Sequence, residues 1–206
     1  MAMIGPPPAV AARGIRTEVV LPTADVILAG LDVGEQRSRR FAEYWLALPK
    51  VDLIPARASF RPEELPRILP HMVIHELISA ELIRLRLVGS SVTEDYGQEI
   101  TGRNYLDFVE PARRPKASRA IHLICEQPAG MVVQLRSVTR TGRAMTRESI
   151  AFPMRGDDGA ANLVYFCSSP ARERDHADPE SDELQVTNVM RRSYVDIGAG
   201  VPDFHD

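Results

Sequence analysis

One block of helical sequence set among strand-like segments limits the folds open to this chain. "ARRPKASRAIHLICEQP", residues 112–128, places Ala117, Ala120, Ile121 and Ile124 at helical spacing, and Pro128 and Gly130 mark its end. Before it come two strand-like segments. "HMVIHELI" leads through the hairpin-length "SAE" into "LIRLRLV", where Ile83, Leu85 and Leu87 alternate with Arg84 and Arg86. After it come three more, "MVVQLRSV", "AMTRESIAFPM" and "NLVYFCS", separated by the turn sequences "TRTGR" and "RGDDGAA". Met131, Val133 and Leu135, then Ile150, Phe152 and Met154, then Leu163, Tyr165 and Cys167 are each read as sharing one face of their strand. Two strands, helices, then three strands predict an α+β domain: a five-stranded antiparallel sheet with helices packed on one face, plus an N-terminal helix. That N-terminal helix is "GEQRSRRFAEYWLALP", with Phe41, Tyr44, Trp45 and Leu48 on one face and Pro49 as its stop.

Composition sets the boundaries. The Pro-, Ala- and Gly-rich residues 1–33 are expected to form a flexible arm, residues 34–170 the domain, and residues 171–206 a polar, flexible tail in which "DELQVTNVMRRSY" could form a short amphipathic helix. At 44% hydrophobic residues the chain can build a real core, and a net charge of −3 gives no nucleic-acid footprint. No apolar window is long enough for a membrane span, and the N-terminus lacks the basic start and apolar core of a signal peptide. Cys125 and Cys167 are far apart and in no CxxC pair, which fits a reducing cytoplasm rather than a disulfide framework.

The segment "LRLVGSSVTEDYGQEITGRN", residues 85–104, raises the question of chemistry. "GQEITGRN" has the glycine spacing of a phosphate loop, but Arg-Asn replaces the Lys-Ser that gives that loop its mechanism. Gly89, Gly97 and Gly102 are therefore expected to serve turns. Ser91 and Glu94 read as a capping box, with Gly97 closing the short helix in the left-handed conformation. No G-x-S-x-G elbow and no HExxH is present, so no enzymatic activity is expected. Glu148 is read as pairing with Arg136 or Arg147 across strands, or else meeting a ligand. The basic run Arg113, Arg114, Lys116 and Arg119 is read as a solvated helix face, with docking of an anionic partner as the alternative.

The element order resembles the PAS fold, and "DYGQEITGRNYLDFV" looks like its crossing into the long helix. More narrowly, "PARASFRPEELPRILPH", "RLVGSS", "YGQEITG" and "ESIAFPM", together with Trp45, resemble a family of short single-PAS proteins of the proteobacterial type, over about residues 36–170. Ser90 and Ser91 stand where that family usually has a threonine or a bulkier residue. The resemblance implies a cytoplasmic bacterial sensor that binds an unknown small molecule between sheet and long helix and passes the signal to a separate protein. The alternative is a ligand-free dimerisation module acting as an adaptor. Leu87, Tyr96, Tyr105, Phe108, Ile121, Ile124, Val133, Leu135, Ile150, Phe152 and Tyr165 are the expected ligand contacts, with Leu85, Val92 and Met131 in the same wall. No cofactor, nucleic acid or membrane is expected. His122 lies on the helix where haem-binding relatives carry a ligand but is offset from the apolar stripe, and Cys125 lies too late for the cysteine of light-sensing relatives, so a colourless protein is predicted. With Arg84, Arg86, Gln134 and Arg136 making the other sheet face polar, the aromatic helix is expected to be covered by a second copy, in a homodimer that shields Trp45.

Overall fold

The computed structural model describes residues 21–139, 144–169, 172–173 and 184–205. The first twenty residues of the expected arm lie outside them. From there the chain forms α1 (Ala24–Gly30), capped by the Thr23 hydroxyl, and α2 (Gln36–Ala47), which stops where Pro49 disfavours a helical Leu48. A small ribbon, β1 (Lys50–Val51) and β2 (Ile54–Pro55), and three single 3₁₀ turns lead to β3 (Met72–Ser79) and β4 (Leu82–Val88). Helix α3 (Ser90–Tyr96), 3₁₀ turns at Tyr105–Phe108 and Pro111–Arg113, and α4 (Arg114–Glu126) follow. The chain returns as β5 (Ala129–Thr139), β6 (Ala144–Arg155), β7 (Ala161–Ser168), β8 (Arg172–Glu173) and β9 (Leu184–Asp196). The antiparallel sheet runs β4-β3-β7-β6-β5-β9, with β8 paired to β6.

The α+β architecture is as the sequence predicts, but the sheet is wider than five strands. β9 occupies part of the stretch expected to be a flexible tail or a short helix. It pairs along β5 from Ala129 to Thr139. Its polar composition follows from its place at the edge of the sheet, where Met190 is 54% exposed while Val189 and Tyr194 pack against the core. β9 also ties down the long helix, since the Tyr194 hydroxyl donates to the Ala120 carbonyl at 2.9 Å.

Both faces of the sheet are covered. On one, α3, α4 and the turns between them bury Ile83, Leu85, Val133, Ala151, Val164 and Phe166. On the other, α1 and α2 bury Val132, Ile150, Phe152, Met154, Leu163 and Tyr165. The aromatic helix therefore lies on its own sheet. Trp45 is 1% exposed, stacks on Phe152 at 4.5 Å and donates its indole N–H to the Pro153 carbonyl at 3.1 Å. This removes the argument for a homodimer built to shield Trp45. The sheet itself provides the cover: Arg84, Arg86, Gln134 and Arg136 sit toward its edges, while its centre, β6 and β7, is apolar on both sides.

The 85–104 segment is architectural. Gly97 (φ 68°) and Gly102 (φ 84°) adopt left-handed turns, and a Cβ on Gly89 would stand 2.3 Å from the Pro70 carbonyl oxygen. The capping box does not form: α3 starts at Ser90 after Gly89, so Ser91 already lies within the first turn. Residues 102–104 instead cover the outer edge of β4, through Gly102 and Arg103 to Leu85 and the Asn104 side chain to the Ile83 N–H.

Candidate functional site: a polar-ended cavity between the sheet and α4

Between α3, α4 and the sheet lies a cavity of about 60 Å³. Most of its wall is apolar, with Leu85, Val92, Ile100, Ile121, Met131 and Phe166 among its residues. Of the expected contacts it brings together Tyr96, Tyr105, Ile121, Val133 and Leu135. Phe108 and Ile124 belong to the surrounding core behind the wall.

Four expected contacts are on the other face. Met131 pairs with Ala151 and Val132 with Ile150, so Ile150 and Phe152 point away from Val133, and Tyr165, opposite Phe152, goes with them. Every residue of β6 from Ser149 to Met154 is buried, so hydrophobicity alone does not tell its two faces apart. Leu87 is displaced by a bulge. His75 pairs with Leu85 and Ile74 with Leu87, which leaves Arg86 as the extra residue and turns Leu87 outward, 42% exposed. Leu87 and Tyr165 line a separate open groove with Phe60, Pro62, Leu69 and Met72.

The cavity's polar groups are the ones sequence reasoning missed. His75, Ser137, Arg147, Ser149, Ser168 and Arg192 all line it. In "TRESIAF" Arg147 and Ser149 point inward and Glu148 and Ile150 outward, while His75, Ser137 and Ser168 share strand parity with the apolar wall residues Val73, Met131 and Phe166, so local alternation does not single them out. The His75 ring lies 4.7 Å from Tyr105 and 4.5 Å from Phe166, and its Nδ1 has no hydrogen-bond partner. Burial pushes its pKa down to about 3, so the ring is neutral at physiological pH. Burial likewise pushes the Tyr105 phenol above its ordinary value, with the nearby Tyr96 adding to the rise. Arg147 is 7% exposed. Its Nη2 bonds Asp95 on α3 at 3.0 Å, while its Nε is buried without an acceptor. The Ser149 and Ser168 hydroxyls lie 2.8 Å apart.

Glu148 does not pair with Arg136 or Arg147. It faces α2, accepting from the Gly34 N–H and the Ser38 hydroxyl, each at 2.9 Å. Successive residues of β6 thus address the cavity and the N-terminal helix. In the basic run, Arg119 pairs with Glu126, Arg114 donates to the Val109 carbonyl, and Lys116 lies over Phe204.

A haem or a flavin does not fit a space of about 60 Å³ with these residues around it. His122 is outside the cavity, its Nδ1 bonded to the Ser118 carbonyl at 2.9 Å. Cys125 approaches the Leu163 carbonyl, Cys167 lies under α2, and burial pushes both thiols up to about 12. Among the described residues, no cluster of three or more potential metal ligands occurs, and no helix is long and apolar enough to cross a membrane.

No curated protein matches the chain. Among solved structures it is similar to a light-oxygen-voltage domain studied with a flavin analogue, at 16% identity and a TM-score of 0.42, covering 55% of this chain and 84% of that one. It is similar to the LOV domain of the blue-light photoreceptor Aureochrome1, at 17% identity and a TM-score of 0.39, covering 54% and 88%. It is also similar to an RNA-binding light-oxygen-voltage receptor, at 18% identity and a TM-score of 0.37, covering 72% and 48%. The sequence pattern of the PAS domain matches residues 33–166, from the loop before α2 into β7. The strands, crossing segment and long helix that enclose the cavity fall within that match, except for β9: the chain belongs to the PAS domain family.

Proposed function

We propose that this PAS domain is a sensory module that acts by binding, without catalysis, and takes a small molecule into the cavity between the sheet and α4. One observation carries the reading. In a largely apolar enclosure, two buried polar atoms, His75 Nδ1 and Arg147 Nε, lack partners within the protein. An unfilled buried donor or acceptor costs about 1–3 kcal/mol, which a bound molecule would recover. The cavity has room for a few waters or a small ligand. β6 supplies the route outward, because Arg147 at the cavity is followed by Glu148 at the N-terminus of α2. The signal then passes from α2 to a separate protein in the bacterial cytoplasm.

The small volume supports a second reading, a contact module whose partner docks on the groove beside Leu87 and Tyr165. Mass spectrometry of small molecules released from natively purified protein separates the two. The wild type should release a compound that the cavity-filling variant Ala117→Leu does not hold. Identical spectra from both would overturn the sensory reading.

A further inference from the structure

Among the described residues that line the cavity, the charged ones are Arg147 and Arg192. Asp95 on α3 accepts from the Arg147 Nη2 at 3.0 Å. A buried guanidinium is favourable only when its N–H groups are filled by acceptors, best of all by carboxylate oxygens. The Nε–H of Arg147 is unfilled. Close to it in the strand ladder is a cluster of hydroxyls. Ser149 is adjacent to Arg147 on the same face of β6 and bonds Ser168 on β7, while Ser137 comes from β5. Of the two protons on the Ser149–Ser168 pair, one lies between the oxygens and the other remains to be donated.

The remaining wall is aliphatic and aromatic. A narrower recess shares Tyr105, Ala117, Val189 and Arg192 with the cavity and continues toward Arg113 and Lys116 at the start of α4. Arg113 and Lys116 line that recess, and Arg147 and Arg192 line the cavity. A ligand that fits has one anionic oxygen pair, a short apolar body and little volume. Inorganic phosphate fits poorly, since a second charge would go uncompensated in a mostly apolar enclosure.

We infer that the cavity takes a short-chain aliphatic carboxylate, its carboxylate held by the Arg147 Nε–H and the serine hydroxyls and its alkyl tail in the apolar remainder. This rests on the sensory reading of the same cavity. It assigns Arg147 as the residue that selects for charge and gives Asp95 the role of fixing the guanidinium plane.

Isothermal titration at constant ionic strength with propionate, butyrate, propionamide and inorganic phosphate tests it. Propionate and butyrate should bind, with the neutral amide at least about tenfold weaker, the loss expected when a charge-assisted hydrogen bond becomes an ordinary one. Arg147→Lys keeps a charge opposite Asp95 but removes the Nε–H, and should weaken propionate about tenfold. Ser168→Ala, a smaller change that leaves the ion pair intact, should weaken it in the same direction. Equal binding of amide and acid, binding of phosphate alone, or no binding of either carboxylate would overturn the inference. Release of a neutral compound from the wild type, absent from Ala117→Leu, would defeat the carboxylate while leaving the sensory reading standing. Matching releases from both proteins would defeat both.

Discussion

His75 shows how much one buried side chain contributes to the pH response of this domain. It sits between Tyr105 and Phe166 and is held neutral, with a folded pKa of about 3. In the unfolded chain a histidine titrates near 6.5. Because the folded value is the lower one, protons bind preferentially to the unfolded state. The stabilisation is complete above about pH 6.5 and falls as the pH drops toward 3. At pH 4.5 the loss should approach about 3 kcal/mol relative to pH 7.5, at about 1.4 kcal/mol for each pH unit below 6.5. Urea unfolding of the wild type and of His75→Phe at both pH values isolates this contribution. The variant keeps the aromatic packing and should lose less stability on acidification by that amount; parallel pH profiles would show that His75 is not the cause. His75 and Arg147 were also the residues least legible in the sequence. A histidine in "HMVIHELI" and an arginine in "TRESIAF" look like surface residues until the pairing of β3, β6 and β7 turns them inward.

The elements themselves were legible. Helical spacing gave α2 and α4, and alternation with turn residues gave β3 through β7 within a residue or two of their observed ends. What local sequence did not carry was parity: which side of β6 and β7 faces α4 and which faces α2. Both sides are apolar, so only the pairing with β5 decides, and that is a long-range property. The same ambiguity hid the cover for α2. Since Trp45 is buried against Phe152 within one chain, Trp45→Ala should destabilise the domain by about 3–5 kcal/mol, as for other large aromatic truncations in a core. The unfolding midpoint should not depend on protein concentration. A midpoint that rises with concentration in the wild type, and not in the variant, would restore the shared interface. Glu148→Gln should cost about 1 kcal/mol, because it weakens two charge-assisted bonds at the start of α2; thermal unfolding with no change in midpoint would mean that this link does not hold the helix.

At the scale of the whole molecule, β9 changes what the domain is. Its sequence is charge-dense, and such composition suggests disorder; yet β-branched and aromatic residues recur through "QVTNVMRRSYVDI", and β5 offers a long unpaired edge for them. Val189 and Arg192 bring this strand into the cavity wall, and Tyr194 fastens it to α4. A chain ended after Ser169 should therefore unfold at lower urea, associate through the bared edge of β5 in light scattering, and lose propionate binding. Unchanged stability and a single monomeric species would show that β9 is dispensable. The sensory proposal places the small molecule in the cavity between the sheet and α4, and not in the groove on the other face. Its most direct test is an amide chemical-shift map of the wild-type protein titrated with propionate. Shifts should concentrate at His75, Arg147, Ser149, Ser168 and the facing turn of α4 around Ile121. Shifts confined to Phe60, Met72, Leu87 and Tyr165, or none at all, would contradict it.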